Sequence, residues 1–258
     1  MTTWSGRISR QAQQEPALMS PWFHDTKRKF ALVTVATIIL VVLSILFIDQ
    51  PIALYAHNSN SIQSIIHMLL STISSTENPN NEIADFLTPL TLVIILISWT
   101  GYWLRSRHGH FDHHTYFFKM VGTAVPIAFL AKTITKFVFG RINTRVWVSD
   151  PAPGDNFHWF DGGGNYNGFP SGHMTVLVPL FIALWQFYPA LRPLWGAAAG
   201  SLAIAMVLTD YHFVSDIIAG TYLGILVYCF SLKKQMPNAP SCTKNTKHLD
   251  PTHPTDLS

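Results

Sequence analysis

Six apolar runs constrain this chain more than any other feature, because each approaches the length needed to cross a lipid bilayer. A spanning helix needs about 20 apolar residues. Only 12% of the 258 residues are charged, about half the share typical of soluble domains. The sequence therefore predicts an all-α integral membrane protein with six transmembrane helices in a bundle, at Phe30–Ile48, Phe86–Leu104, Tyr116–Thr135, Met174–Tyr188, Pro193–Thr209 and Val214–Leu232.

One membrane domain, residues 30–232, is predicted between two polar tails at residues 1–29 and 233–258. The first run is longer than the apolar part of a signal peptide and is followed by no small-x-small cleavage site, so we expect an uncleaved anchor. Residues 62–73 carry apolar side chains at helical spacing. This pattern indicates a helix that lies on the outer membrane surface or packs on the bundle.

Lysine and arginine set the predicted orientation, since they accumulate on the cytoplasmic side of membrane proteins. They crowd both tails and the 104–115 loop, whereas the 49–85 and 210–213 loops have none. Both termini are therefore predicted to be cytoplasmic, and loops 49–85, 136–173 and 210–213 to face outward. The net charge of +3 is too small to argue for a nucleic-acid partner.

The segment GFPSGH, residues 168–173, precedes the fourth apolar run. Ser171 is a good N-cap for a helix that begins near Gly172. A helix N-terminus offers free N–H groups and the positive end of the helix dipole, which favour an anion. His173 would lie in the first turn, next to this anion site. The alternative is a capped helix with an incidental histidine.

The segment TDYHFVSD, residues 209–216, joins the last two runs on the same outward side. His212 and Asp216 are four residues apart, so a shared helical turn would place them on one face. A carboxylate bound to one imidazole nitrogen leaves the other nitrogen free as a nucleophile. Alternatively, the acidic residues here are only helix-end residues.

Four cations on the outward side complete the predicted site. Lysine and arginine on this side are either ordinary exceptions to the charge bias or ligands for an anion. They are Lys132, Lys136, Arg141 and Arg145. Lysine and arginine together bind a phosphate, although Lys132 also fits a side chain that extends to the membrane surface. With two histidines, a carboxylate and a helix N-terminus, they suit phosphoryl transfer through a phosphohistidine. No acidic pair with metal-site spacing accompanies them, so we expect no metal and no other cofactor.

These segments resemble the three motifs of the type-2 phosphatidic acid phosphatase family, K-x6-R-P, P-S-G-H and S-R-x5-H-x3-D, and the resemblance covers residues 30–231. It implies that His212 is the nucleophile, that Asp216 orients it and that His173 protonates the leaving oxygen. Members of this kind need no metal. The phosphate-binding groups that the resemblance implies are Lys136, Ser171 and the amide of Gly172.

Two motifs depart from the family pattern. The arginine and proline of the first motif would fall at 143 and 144, and the serine and arginine of the third at 205 and 206. The chain has at these positions Asn143, Thr144, Ala205 and Met206. We hypothesise that Arg141 and Arg145 supply the lost positive charge. The counter-hypothesis is a catalytically dead, lipid-binding homologue.

The sequence thus predicts metal-independent hydrolysis of a lipid phosphate monoester or pyrophosphate at the outer face of a membrane. The expected location is a bacterial inner membrane with the site facing the periplasm, and the sequence indicates no obligatory protein partner. A lipid phosphotransferase using the same site is the alternative enzyme. The histidine-rich segment RHGHFDHH, residues 107–114, could bind zinc or be a solvated loop, but its predicted place is the cytoplasmic side.

Overall fold

The computed structural model describes residues 27–59, 87–109, 112–149 and 157–235. The surface helix predicted at residues 62–73 lies outside the described residues, as do residues 1–26 and 236–258 of the predicted tails. The described elements are helical: α1 (Lys27–Leu43), a π-helical turn (Ser44–Ile48), α2 (Asp49–Asn58), α3 (Leu87–Arg107), α4 (His113–Phe139), α5 (Thr144–Ser149), α6 (Gly172–Phe187), a 3-10 turn (Pro189–Leu191), α7 (Arg192–Leu208) and α8 (Val214–Gln235).

Within the described residues, five continuous helical segments are long and apolar enough to cross a membrane, which confirms the all-α membrane class. They are Arg28–Asn58, Leu87–Arg107, His113–Phe139, Pro189–Leu208 and Val214–Gln235. Their outer surface is apolar, and Leu46 and Phe47 are 64% and 69% exposed, as expected for side chains that contact lipid. Helix α6, the fourth predicted span, has 16 residues and is about 24 Å long. Because α6 is shorter than the length of a typical spanning helix, the described residues contain five spans by this criterion rather than the predicted six.

The first helix continues ten residues beyond its predicted end, so residues 49–58 are helical and the predicted 49–85 loop begins later. A π-helical turn makes this continuation possible. Pro51 lacks an N–H, and its ring would clash with the carbonyl of Phe47 in a regular α-helix. The π turn relieves this crowding, and the N–H of Asp49 bonds to the carbonyl of Ser44 instead.

Helix α6 lies at the centre of the bundle and packs against α4, α7 and α8. Glycines allow α8 to approach it closely. A Cβ at Gly220 would lie 2.5 Å from the carbonyl oxygen of Ser171, and one at Gly224 would lie 2.9 Å from Cβ of Val178. Small residues four apart commonly bring membrane helices into such contact. The close packing fixes the N-terminal ends of α6 and α8 side by side.

The two ends of the bundle differ in chemistry. One end gathers the N-termini of α6 and α8, the C-termini of α4 and α7, and helix α2. The opposite end carries basic residues at the termini of α3, α7 and α8, namely Arg105, Arg107, Arg192, Lys233 and Lys234. His113 and His114 also lie there, at the far end of the 27-residue helix α4 from Lys136. His110 of the same histidine-rich segment lies outside the described residues.

Candidate active site

The N-terminus of α6 carries the predicted cap. Ser171 Oγ accepts a hydrogen bond from the N–H of Met174 at 3.5 Å, and the helix begins at Gly172. A Cβ at Gly172 would lie 3.1 Å from Cδ of Lys132 and 3.4 Å from Cε of Lys136. The absence of a side chain at Gly172 therefore lets both lysines run across the positive end of the helix.

Lys136 points into the loop that precedes α6. Its ammonium group donates to the carbonyl of Asn167 at 2.6 Å. The loop itself is held against the end of α4 by glycine: a Cβ at Gly140 would lie 1.8 Å from the carbonyl oxygen of His158. Gly140 adopts a left-handed conformation with φ of +48°, which glycine adopts without strain. The loop thus brings the PSGH segment next to the lysines of α4.

The two histidines of the predicted site face each other. The ring centroids of His173 and His212 are 6.4 Å apart, and the ring of Tyr211 lies 5.2 Å from each. His212 is 3% exposed, while His173 is half-buried. At this separation one phosphoryl group is able to contact both rings.

His212 does not share a helical turn with Asp216, which corrects the sequence prediction. It lies in the turn that precedes α8, and α8 begins at Val214. The carboxylate is nevertheless near, with 3.6 Å between His212 Nδ1 and Asp216 Oδ2. This distance exceeds a hydrogen bond, and neither ring nitrogen of His212 is hydrogen-bonded to a described residue. Burial lowers the pKa of His212 and thereby favours the neutral ring, although the Asp216 carboxylate opposes this effect.

Arg141 is buried in an ion-pair network rather than open to the site. One terminal nitrogen donates to Asp216 Oδ1 at 2.5 Å and to Ser215 Oγ at 2.6 Å, and the other donates to Asp49 Oδ2 at 2.8 Å. The guanidinium also stacks on the ring of Phe213, 4.3 Å from its centroid. Burial alone would lower the pKa of Arg141, but the carboxylates of Asp216 and Asp49 outweigh it and raise the pKa.

Arg145 lies closer to the histidines. Its guanidinium carbon is 4.9 Å from the ring centroid of Tyr211, and one terminal nitrogen donates to the carbonyl of Thr209 at 3.4 Å. It is half-buried. The two arginines that were expected to act together are therefore separated, with Arg145 beside the histidines and Arg141 behind Asp216.

The residues that replace the family's motif residues have structural roles. Asn143 precedes α5, a short helix that the sequence did not predict, and its Oδ1 accepts from the N–H of Arg145 at 3.3 Å. The carbonyl of Met206 accepts from the N–H groups of Tyr211 and His212 at 2.9 and 3.1 Å. Met206 Sδ lies 3.7 Å from Ser171 Oγ. These residues fix the backbone around Arg145 and His212.

Helix α2 contributes to the site Asp49, which the sequence analysis did not include, and it also contacts the turn before α8. Asp49 pairs with Arg141, and His57 Nδ1 lies 2.9 Å from Asp210 Oδ2. Asp49 was assigned to an outward loop because the apolar run ends before it. An acidic residue at the end of a membrane helix is itself a functional signal. Among the described residues, no group of three His, Cys, Asp or Glu side chains is arranged to hold a metal ion.

Part of the chain is similar to a known protein family. A family model described as the PAP2 superfamily matches residues 117–239. Over this segment, just under half of the chain, the sequence is similar to the PAP2 superfamily. The resemblance stated from the motifs is confirmed at this level, and the PAP2 segment contains the predicted lysines, arginines and histidines of the site. Helices α1 to α3, including Asp49, precede it.

Two curated relatives also match part of the chain. The lipid A 1-phosphatases of Rhizobium etli and Rhizobium johnstonii are each 35% identical to it over 69 residues, 27% of this chain. The matched stretch spans 30% and 28% of those relatives' own lengths. No solved structure matches the chain.

Proposed function

We propose that this protein hydrolyses a phosphate monoester or pyrophosphate of a membrane lipid through a phosphohistidine on His212. The observation that carries the proposal is the pairing of His173 and His212 across 6.4 Å beside the N-terminus of α6, with Asp216 behind His212. The match of residues 117–239 to the PAP2 superfamily and the similarity to lipid A 1-phosphatases support a lipid phosphate as the substrate class.

The reaction has two steps. In the first, Nε2 of neutral His212 attacks phosphorus, the bond from phosphorus to the lipid oxygen breaks, and His173 gives that oxygen a proton. In the second, a water molecule attacks the phosphohistidine while His173 takes a proton from it. Inorganic phosphate leaves, and His212 recovers its lone pair. Asp216 stabilises the positive charge that the imidazole carries between the steps.

The phosphate oxygens are bound by the helix N-terminus and by nearby cations. The amide of Gly172, with Lys136 and Arg145, supplies this positive environment, and Lys132 adds charge from the next turn of α4. Donors that are fixed before the reaction stabilise charge that develops in the transition state. Arg141 contributes by holding Asp216.

An apolar groove beside the site accommodates the hydrocarbon chain of the substrate. It has a volume of about 530 Å³ and lies between α6, α7 and α8. It begins at Met174, directly after His173, and extends to Trp185, which is about 16 Å along the axis of α6. Gly200 and Ala203 keep its α7 side open. A lipid bound here would keep its chain in the bilayer and its phosphate at the histidines.

The site faces the outer side of the membrane, and six helices, including the short α6, enclose it. The basic residues at the opposite end of the bundle support this orientation, since such residues mark the cytoplasmic side. Both termini are then cytoplasmic, and in a bacterial inner membrane the phosphate is released into the periplasm.

The test is phosphate release by the purified protein in detergent with EDTA present. Phosphatidic acid, phosphatidylglycerophosphate, undecaprenyl pyrophosphate and lipid A are the substrates. We expect release from at least one lipid by the wild type and by His113→Ala, which changes a histidine at the opposite end of the bundle. His212→Ala should release none. Transfer of labelled phosphate to a second lipid would indicate a phosphotransferase, and no reaction by the folded wild type would indicate a lipid-binding homologue without activity.

A further inference from the structure

We propose that Asp49 is a positioning residue for phosphoryl transfer, which acts on His212 through Arg141 and Asp216. This inference rests on the proposed function. Asp49 belongs to helix α2, and residues 117–239 alone match the PAP2 superfamily. It therefore adds to the site a residue from outside the matched segment.

The contacts of Asp49 bring it into the same buried network as the catalytic carboxylate. Its Oδ2 accepts from Arg141 at 2.8 Å, and its Oδ1 accepts from the backbone N–H of Ser215 at 2.9 Å. The hydroxyl of Ser215 also donates to Asp49 Oδ2. The side chains of Asp49, Arg141 and Asp216 are between 0% and 3% exposed. Charges buried to this degree interact strongly, because little solvent screens them.

The guanidinium of Arg141 joins the two carboxylates. Asp49 accepts a hydrogen bond from one terminal nitrogen of Arg141. This contact orients the other terminal nitrogen toward Asp216 Oδ1. The second oxygen of Asp216 then accepts from the N–H of Phe213 at 3.0 Å and lies 3.6 Å from His212. In this way Asp49 fixes the direction from which Asp216 acts on the imidazole.

The negative charge of Asp49 matters as well as its hydrogen bonds. With two carboxylates on one guanidinium, the positive charge of Arg141 is shared between them. If Asp49 were neutral, Arg141 would act on Asp216 alone and would weaken its attraction for the imidazolium of the intermediate. The charge of Asp49 therefore preserves the stabilisation that Asp216 provides.

The helix is shaped to place Asp49 in this position. In a regular α-helix the buried Ser44 would share its face with Ile48, four residues later. The π-helical turn Ser44–Ile48 adds one residue, so the next fully buried position is Asp49. Single π turns of this kind often occur at functional sites.

A matched control exists in the same helix. His57 pairs with Asp210 at 2.9 Å and so also ties α2 to the turn that holds His212. Its ion pair does not include Arg141 or Asp216. A residue that only anchors α2 would behave like His57, whereas a positioning residue would act through Arg141.

The experiment measures kcat and KM for hydrolysis by purified full-length variants. We expect Asp49→Asn to lower kcat about 10- to 100-fold, the range found when a residue that orients a metal-binding side chain is mutated. Its KM should change less than about threefold, because the loss falls on the transition state. His57→Gln should keep kcat within about twofold of the wild type. In an Arg141→Met background, adding Asp49→Asn should lower kcat less than about twofold, because the guanidinium through which Asp49 acts is already absent.

Three results would overturn the inference: wild-type kcat in Asp49→Asn, a raised KM with unchanged kcat, or an equal loss in the Arg141→Met background. If Asp49→Asn does not fold, Ser215→Ala keeps both charges and removes the hydroxyl that links Asp49 to Arg141. We expect it to lower kcat, and an unchanged kcat would again count against the inference. A wild type that is inert toward every lipid would instead overturn the proposed function, and this inference with it.

Discussion

The backbone N–H of Ser171 donates to the carbonyl oxygen of Asp216 at 2.9 Å. This bond joins the N-terminus of α6, where the phosphate is proposed to bind, to the first turn of α8, which carries the carboxylate proposed to orient His212. Two motifs that are 45 residues apart in the sequence are thereby held in contact through their backbones. Mutations that change the packing of α6 on α8 should therefore affect catalysis.

Gly220→Ala tests this coupling. The added Cβ would lie 2.5 Å from the carbonyl oxygen of Ser171, so α8 must move away from α6. We expect a loss of about 1–3 kcal/mol in the free energy of unfolding and a loss of about 100-fold in kcat, the effect of a shift of about 1 Å in a catalytic group. Gly163→Ala is the control, because nothing lies within 4 Å of its Cβ and the residue does not line the groove. Wild-type activity in Gly220→Ala would contradict the proposed role of this contact.

Arg145→Gln tests the phosphate-binding cation at the histidines. Because Arg145 lies beside Tyr211 and its partner is a backbone carbonyl, its charge is available to a phosphate. We expect kcat/KM to fall about 10- to 100-fold, in keeping with about 1.5–3 kcal/mol for a hydrogen bond to a charged group. Arg192→Gln, at the opposite end of the bundle, should have little effect. Equal kcat/KM values for the two variants would remove Arg145 from the site.

Gly200→Phe tests the apolar groove. The space around Gly200 is open, so phenylalanine should fill the groove without displacing the backbone. We expect KM for a long-chain lipid phosphate to rise about tenfold, equivalent to two methylenes at about 0.8 kcal/mol each. Hydrolysis of a water-soluble phosphate ester should not change. Ile204→Phe, which alters an exposed side chain of the same helix, is the control, and an equal KM rise in both variants would contradict the groove assignment.

The pH dependence of kcat/KM tests the state of His212. Burial lowers the pKa of His212, although Asp216 opposes the effect. Since the neutral ring is the proposed nucleophile, the acid limb of the pH profile should lie below the ordinary histidine value of about 6.5. In Asp216→Asn the acid limb should move to still lower pH, because the carboxylate that favours the protonated ring is lost. An acid limb caused by ionisation of the substrate would lie at the same pH in the wild type and in Asp216→Asn. An unshifted acid limb would therefore contradict its assignment to His212.

The sequence predicted the parts of this protein that depend on local pattern. Except at the end of the first helix, apolar runs locate the helices to within a few residues, because membrane helices are defined by composition over their whole length. Ser171 was identified as a cap because the preference for serine there is a local property. The PSGH and H-x3-D segments were found because each is contiguous.

Contacts between distant segments could not be predicted from the sequence, because they leave no local pattern. Asp49 was placed in a loop, since an acidic residue after an apolar run ordinarily ends a span, and the π-helical turn that carries the helix onward leaves no clear pattern. Arg141 was expected to bind phosphate because charge and position alone do not reveal that two carboxylates already bind it. His212 precedes α8 because its N–H bonds to the carbonyl of Met206, a contact that spacing does not predict.

The most direct test of the account is to detect the phosphohistidine itself. The wild type and His173→Ala would be mixed with a lipid labelled with ³²P in its phosphate, quenched in alkali and digested, because phosphohistidine survives base. The account predicts label on the peptide that contains His212. The amount of label should be larger in His173→Ala if that change slows hydrolysis of the phosphohistidine more than its formation. The label should be absent in His212→Ala. Hydrolysis by the wild type with no label on His212 in either enzyme, or with label on His173 instead, would contradict the proposed mechanism.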